Sequence, residues 1–295
     1  MIPTFVIATS LLAFPDFSRG YLLRDDYTQN NYAEFFSKFG FWTASDPTNG
    51  LVNYVSESAA WANGLIGNGG NIYLGVDHTN KPDVCGTWPA FWTTASSNDW
   101  PQEGEIDIKE EANNAQNNQM SLHISKTQGE CVIRSDTSMI AARGRWGDCT
   151  EEDTRGCDAN DPRTNSFGTG FNYNGGGVYA MEWKAEWVRI WVFPRSEIPS
   201  GASGPLGSSP DPSAWGTPTT SFESQHGADC NLSTHVRNQR IIIDTTFCGQ
   251  WASGTWLISG CAASTGYSTC EAYVKDVPTA FRHAFWTINS VKTYD

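Results

Sequence analysis

Three carboxylates with E-x-D-x-x-E spacing, Glu105, Asp107 and Glu110, lie within the run GEIDIKEE. The flanking isoleucines favour a β-strand, in which successive side chains alternate between two faces. In a regular strand Glu105 and Asp107 would share one face and Glu110 would lie on the other. A β-bulge, with one extra residue taken up near Ile108 or Lys109, would return Glu110 to the first face. We therefore expect all three acids to line one surface.

This arrangement suits glycoside hydrolysis, in which one carboxyl protonates the leaving oxygen while a second attacks the sugar or activates water. With a bulge, Glu105 and Glu110 are about 13 Å apart between Cα atoms, a gap that two long side chains can close. Asp107 between them would disfavour ionisation of a neighbouring acid by charge repulsion and could hydrogen-bond to it. The alternative is a solvated acidic face of a strand, without catalysis.

Aromatic residues lie just upstream of the acids, in the run CGTWPAFW that ends at Trp92 and in Asp99-Trp100-Pro101. The apolar C–H face of a pyranose packs on aromatic rings, while its hydroxyl groups need polar partners. Tryptophans are more often part of a core than of a ligand platform, so most of those in this chain are expected to be structural.

These motifs resemble the fungal laminarinase-type endo-1,3(4)-β-glucanases of glycoside hydrolase family 16. Further pieces follow in the family's order, and the resemblance extends from Tyr21 to Tyr294. These pieces are DPTNG and VNYV at 46–55, VDHT at 76–79, NSFG at 165–168, GGG with YAMEW at 175–183, WGTP at 215–218 and TFCG at 246–249.

The resemblance implies an all-β fold, an antiparallel β-jelly-roll sandwich of the concanavalin A-like lectin and glucanase type with a concave substrate cleft. It also implies retaining hydrolysis through a covalent glycosyl-enzyme intermediate. By motif position, Glu105 is the expected nucleophile, Glu110 the general acid/base and Asp107 the assisting carboxylate. The residues expected to contact substrate are Trp92, Trp100, His123 and Trp251.

One departure from the family concerns the segment between Asn80 and Cys85. Relatives continue there with a Gly-rich loop and two strands, whereas this chain proceeds through Lys81-Pro82-Asp83-Val84. The omission amounts to roughly thirty residues, more than two typical strands with their turns. We expect unpaired backbone and a void in the sandwich as its consequence.

Three single positions also differ from the family pattern: Glu103, Lys109 and Gln250. Glu103 adds a charge near the nucleophile. Lys109 could pair with Glu111, or lower the pKa of the acid/base if it turned towards it.

The rest of the chain agrees with one β-sandwich domain. Short alternating or β-branched runs recur, as at 188–193, 240–247 and 288–294, while helical periodicity is scarce. The stretches 142–177 and 200–221 are rich in Gly, Ser, Asn, Asp and Pro and are predicted to be long surface loops. We expect a signal or N-terminal segment at 1–19 and a single catalytic domain at 20–295.

The net charge of −13 at pH 7 disfavours nucleic acid as a partner and suits a neutral polysaccharide, here β-glucan. No apolar run reaches the length of a membrane span. We expect a monomer without cofactor or metal.

Eight cysteines predict four disulfides in an oxidising compartment, although 105 pairings are open. Zinc is disfavoured because C-x-x-C pairs are absent. Residues 2–14 form an apolar segment of signal-peptide length that lacks a positive start. The sequence therefore favours a secreted protein.

Two classes of function remain open. The first is an extracellular endo-acting glycosidase that cleaves β-1,3 or mixed β-1,3/1,4 glucans, with a wall-remodelling transglycosylase as a variant of the same chemistry. The second is a catalytically inactive glucan-binding relative, in which the omitted segment or Lys109 has disabled the acid pair.

Overall fold

The computed structural model describes residues 20–76, 85–95, 100–129, 131–134, 136–144, 147–151, 156–223 and 231–295. The expected N-terminal segment at 1–19 and the junction residues 80–84, which precede Cys85, lie outside these residues. Within them, no helix combines the length and the apolar character needed to cross a membrane.

Strands dominate the described residues, and the helices are short. The strands are β1 Leu23–Asp26, β2 Ile66–Gly67, β3 Ile72–Leu74, β4 Thr87–Ala95, β5 Glu105–Glu110, β6 Gln119–Ser125, β7 Ala142–Arg143, β8 Thr150–Glu151, β9 Cys157–Asn160, β10 Gly177–Trp183, β11 Trp187–Pro194, β12 Thr220–Glu223, β13 Gln239–Phe247, β14 Trp286–Ile288 and β15 Lys292–Tyr294. The α-helices are α1 Glu57–Ala62, α2 Gly168–Tyr173, α3 Leu232–His235, α4 Gly249–Gly254, α5 Cys261–Thr265 and α6 Cys270–Asp276. Short 3₁₀ helices lie at Asn30–Tyr32, Phe36–Lys38, Lys126–Gln128, Arg195–Glu197, Pro212–Ala214 and Pro278–Ala280.

One layer of the fold is a seven-stranded sheet in the order β13-β4-β5-β6-β9-β7, with β8 paired to β6. The long strands β13, β4, β5 and β6 pair antiparallel. Because side chains alternate along each strand, one face of this sheet carries polar residues and the other carries apolar ones.

The apolar face packs against a second layer. Ile106, Met120 and Leu122 from β5 and β6 share a buried cluster with Val188 and Ile190 of β11. A second buried cluster includes, among the described residues, Ile72 and Val291. Ile241 of β13 packs against this cluster, at the other end of the second layer. Two packed layers of mainly antiparallel strands confirm the predicted all-β sandwich.

The second layer consists of separate pieces. One sheet has the order β10-β11-β12, another has the order β14-β3-β2, and β1 pairs with β15. Among the described residues, β10 and β14 are each the edge strand of their own sheet and do not pair with each other. A gap in this layer is the consequence expected if two strands are omitted.

A β-bulge interrupts β5 between its acids. Asp107 lies opposite Ser121 and Glu110 lies opposite Gln119, so two residues of β5 face one residue of β6. The pairing with β4 shifts at the same place, since Asp107 faces Trp92 and Lys109 faces Phe91. The bulge predicted near Ile108 or Lys109 is therefore present, and it returns Glu110 to the face of Glu105.

Disulfides connect the sandwich to the helical region. Cys85 pairs with Cys261 and Cys248 with Cys270, which ties the start of β4 and the end of β13 to α5 and α6. Cys149 pairs with Cys157. Cys131 is also disulfide-bonded, and Cys230 lies outside the described residues. These bonds agree with the disulfide framework expected from the cysteine count.

Candidate active site

Glu105, Asp107 and Glu110 lie on the polar face of the seven-stranded sheet, here called the acid-bearing face. Gly104 leads into the strand with φ of +75°. A Cβ atom at Gly104 would lie 2.8 Å from the backbone oxygen of His235, so this position needs glycine. The turn into β5 and the bulge within it together bring the three acids to one surface.

The environment of Glu110 favours the protonated form of its carboxyl. Burial raises the pKa of Glu110 well above its ordinary value, and the negative charges of Asp107 and Glu105 add to the effect. Trp88 opposes it, because its Nε1–H donates a 2.7 Å hydrogen bond to Oε1 of Glu110. A carboxyl whose pKa is raised keeps its proton to higher pH, as a general acid requires.

Glu105 is oriented by Trp100 and lies near His123. Trp100 Nε1 donates a 2.9 Å hydrogen bond to Oε2 of Glu105, and the Trp100 ring stands 42% exposed above it. His123 lies directly opposite Glu105 on β6. Its Nε2 is 3.9 Å from Oε1 of Glu105 and 3.1 Å from Oδ2 of Asp107. The structure therefore brings both residues, which the sequence predicted as substrate contacts, to the acids.

The other two predicted contact residues lie further towards β13. Trp92 is opposite Asp107 on the acid-bearing face, and its Nε1 donates to Oδ2 of Asp244 at 3.4 Å. Trp251, in α4, packs edge-on against Trp88 with ring centroids 5.5 Å apart. Trp251 therefore contacts Trp88, and Trp88 in turn hydrogen-bonds Glu110.

Two residues of this site were missed in the sequence, Trp88 and Asp244. Trp88 lies four positions before Trp92, so the strand period alone places both on one face. Its hydrogen bond to Glu110 depends on the bulge and on the register of two strands. Asp244 lies on β13, more than a hundred residues further along the chain, and only the pairing of β13 with β4 reveals its place.

The single-residue departures are accommodated locally. Glu103 accepts hydrogen bonds from Asn238 at 2.6 Å and from Arg237 at 3.3 Å, so a cation lies beside its charge. Gln250 is exposed, and its backbone N–H donates to the Thr48 carbonyl.

Lys109 points to the sandwich interior, away from the acids. Its Nζ lies 3.9 Å from the ring centroid of Phe167, 4.6 Å from that of Trp286 and 5.9 Å from that of Tyr179. Tyr179 belongs to β10 and Trp286 to β14, so the amine lies between the two outer sheets. Burial lowers the pKa of Lys109 to about 7, and neither proposed partner, Glu111 or the acid/base, accounts for it.

The acids also have the geometry of a small metal site. One donor atom from each of Glu105, Asp107 and His123 lies within 4.8 Å of the others. The same closeness arises whenever carboxylates converge for acid/base chemistry. A chelation experiment distinguishes a metal site from an acid/base site.

The fold and the acid-bearing face define a laminarinase-like β-sandwich. The structure matches Laminarinase 16A of glycoside hydrolase family 16 (GH16) from Phanerochaete chrysosporium over 93% of this chain and 99% of that one, with a TM-score of 0.81 and 32% identity. That laminarinase holds β-glucans, as 6-O-glucosyl-laminaritriose, in both its donor and its acceptor sites. A GH16 elongating β-1,3-glucosyltransferase matches over 93% of this chain and 100% of its own, with a TM-score of 0.80 and 34% identity.

The chain belongs to glycoside hydrolase family 16, since residues 72–294 match the family described as XgeA-like, catalytic GH16 domain. A probable endo-1,3(4)-β-glucanase of Aspergillus niger is 36% identical over 98% of this chain and 42% of its own length. An endo-1,3(4)-β-glucanase of Arthroderma benhamiae is 37% identical over 94% of this chain and 65% of its own. The chain therefore spans less than two thirds of these relatives. The Aspergillus niger alignment covers 326 residues, more than the 295 of this chain, so the relative carries residues that this chain lacks.

Proposed function

We propose that this chain is an endo-acting glycosidase that cleaves β-1,3 or mixed β-1,3/1,4 glucans with retention of configuration. The observation that carries the proposal is the asymmetry of the two outer acids on one face. Each accepts a hydrogen bond from an indole N–H, but burial and the charges of Asp107 and Glu105 raise the pKa of Glu110, whereas Glu105 lies 3.9 Å from Nε2 of His123. Two carboxyls in unlike environments are what paired acid and nucleophile chemistry requires.

In the first step, Glu105 acts as nucleophile and Glu110 as acid. A carboxylate oxygen of Glu105 bonds to the anomeric carbon while the glycosidic C–O bond breaks and its electron pair goes to the leaving oxygen. Glu110 delivers its proton to that oxygen. The indole hydrogen bonds of Trp100 and Trp88 hold the two carboxyl groups in place during this step.

In the second step, Glu110 acts as base. It takes a proton from water, the water oxygen bonds to the anomeric carbon, and the bond to Glu105 breaks. Asp107, buried between them, assists by disfavouring simultaneous ionisation of its neighbours, and His123 within 3.1 Å of Asp107 balances its charge when protonated.

The substrate class is supported by the relatives. Those named above are endo-1,3(4)-β-glucanases, and Laminarinase 16A binds β-glucans in both donor and acceptor sites. Trp100 is exposed beside Glu105 and offers a platform for a sugar ring. We propose that the protein acts outside the cell, which its disulfides support, and as a monomer.

The test is reducing-sugar release from laminarin and from barley mixed-linkage glucan. We expect turnover by the wild type and loss of at least a thousandfold in Glu105→Gln and in Glu110→Gln. Glu186→Gln, at an exposed glutamate in the β10–β11 turn, is the matched control and should retain full activity. A folded wild type that binds glucan without turnover would overturn the enzyme and favour a glucan-binding relative.

A second candidate, transfer of the glycosyl unit to another sugar, is favoured by the match to the elongating glucosyltransferase along its whole length. It shares the first step and differs only in the acceptor of the second. Products longer than the starting laminari-oligosaccharide, at a yield that exceeds hydrolysis, would favour this candidate.

A further inference from the structure

A second polar cluster lies on the acid-bearing face, beside the proposed catalytic residues and towards the edge strand β13. Asp244 is opposite Ala90 on β4, and Ala90 is opposite Glu110 on β5. These three residues form one row across three strands, so the Cα atoms of Asp244 and Glu110 are about 10 Å apart. This distance is about the width of two neighbouring sugar units, which places Asp244 within reach of a bound glucan chain.

The side chains around Asp244 form a built polar site. Trp92 Nε1–H donates to its Oδ2 at 3.4 Å. Asp46, from the N-terminal loop, accepts a hydrogen bond from Thr246 Oγ1 and adds its charge near Asp244. Tyr54 lies in the same group, because burial raises its pKa, the charges of Asp244 and Asp46 raise the pKa further, and a hydrogen bond with Thr246 opposes the rise.

The backbone at Asp244 is held from the other side of the sheet. Trp286 Nε1 donates to the Asp244 carbonyl at 3.1 Å and contacts Thr245 Oγ1 at 3.0 Å. The backbone of Asp244 is therefore held in place, while its side chain is partly exposed on the acid-bearing face. A rigid support with an accessible polar group is typical of a binding site.

The protonation of Asp244 fits contact with hydroxyl groups. Burial raises its pKa to about 7, the charges of Asp46 and Asp107 act in the same direction, and the hydrogen bond from Trp92 opposes them. Near neutral pH the carboxyl is therefore partly protonated, and it can both donate to and accept from a sugar hydroxyl. A fully charged group in this place would be harder to desolvate when substrate binds.

We propose that Asp244 is a positioning residue that holds the Trp92 indole as a sugar platform and, with Tyr54, hydrogen-bonds the hydroxyls of a glucosyl unit next to the reaction centre. The proposal rests on the proposed function, since it takes a β-glucan as the ligand. Oδ2 of Asp244 accepts the hydrogen bond from Trp92, so Oδ1 is the oxygen that would contact the sugar. Stacking on the indole and hydrogen bonding to the carboxyl would then act on the same ring.

Binding measured in an inactive background separates this proposal from the proposed function. Glu105→Gln protein is titrated with laminarihexaose by calorimetry, alone and with a second substitution: Asp244→Ser, Asp244→Asn or Asp276→Asn. We expect at least a tenfold rise in Kd with Asp244→Ser, because the carboxyl is lost and the shorter hydroxyl side chain cannot contact Trp92 and the sugar together. Asp244→Asn keeps an amide oxygen for Trp92 and should stay within about threefold. Asp276→Asn, at an exposed position in α6, should change nothing.

Two further measurements separate positioning from simple structural support. Trp92→Phe removes the same hydrogen bond from the other partner, and its effect on Kd should be non-additive with that of Asp244→Ser. In the active background, Asp244→Ser should raise KM more than it lowers kcat. If Asp244→Ser fails to fold, the Kd values of Trp92→Phe and Asp244→Asn still test the proposal.

An unchanged Kd in folded Asp244→Ser, additive effects of the two substitutions, or failure of Asp244→Asn to restore affinity would each overturn the inference. Absence of any laminarihexaose binding by the Glu105→Gln protein itself would instead contradict the proposed function.

Discussion

Trp88 Nε1 donates a 2.7 Å hydrogen bond to Oε1 of Glu110, the carboxyl proposed as general acid. This bond favours the ionised form and opposes the burial and the neighbouring charges that raise the pKa of Glu110. Trp251 packs edge-on against the same indole. The pKa of Glu110 thus depends on burial, on the neighbouring charges and on the hydrogen bond from Trp88.

Trp88→Phe should move the basic limb of the pH profile of kcat/KM upwards. The substitution keeps an aromatic ring against Trp251 and removes the N–H that stabilises the charged form of Glu110. A hydrogen bond to a charged group contributes about 1.5–3 kcal/mol, so we expect an upward shift of about one pH unit. Trp183→Phe, at an exposed tryptophan of β10, is the control. If the basic limb of the profile does not move in Trp88→Phe, Trp88 does not affect the pKa of Glu110.

Lys109→Met should stabilise the protein. The amine lies among the rings of Phe167, Trp286 and Tyr179, and burial lowers its pKa from 10.5 to about 7. Because the folded pKa lies below the unfolded one, stability is lost as pH falls from about 10.5 to about 7, and the cost is complete below pH 7. Met retains the length and the contact with aromatic rings without a charge.

Urea unfolding at several pH values checks this expectation. The free energy of unfolding of Lys109→Met should exceed that of the wild type by about 2 kcal/mol at pH 6, a value reduced for the partial exposure of the side chain. The gain should shrink as pH rises towards 10.5. Lys275→Met, at an exposed lysine of α6, should show neither effect. A destabilised Lys109→Met protein would mean that the cation–π contacts outweigh the cost of burial.

Chelation distinguishes acid/base chemistry from a metal centre at Glu105, Asp107 and His123. If the acids act directly on the sugar, prolonged treatment with EDTA should leave glucanase activity unchanged, and added divalent cations should not raise it. Loss of activity on chelation, restored by one metal ion, would assign these residues to metal binding and would contradict the proposed roles of the carboxyls.

Much of the site follows from short-range sequence features. The acid spacing requires a bulge if all three side chains are to share a face, and the register of β5 against both of its neighbours has that bulge. The alternation of short apolar runs likewise predicts the sandwich. These features depend on residues a few positions apart.

The remaining features depend on contacts between distant parts of the chain. Trp88 meets Glu110 only through the register of β4 and β5, and Asp244 reaches Trp92 only through the pairing of β13 with β4. The enclosure of Lys109 depends on two outer sheets that no local pattern brings together. Disulfide pairing is equally non-local, since Cys85 and Cys261 have a sequence separation of 176.

The most direct test of the central claim traps the covalent intermediate. A 2,4-dinitrophenyl β-glycoside of a laminari-oligosaccharide needs no acid for departure of its leaving group, so Glu110→Ala protein should release dinitrophenolate in a burst and then stall. We predict a glycosyl adduct on the peptide that contains Glu105, detected by mass spectrometry, and release by azide as the β-glycosyl azide. An adduct on another residue, an α-glycosyl azide, or no burst from folded protein would contradict the assignment of Glu105 as nucleophile and Glu110 as acid/base.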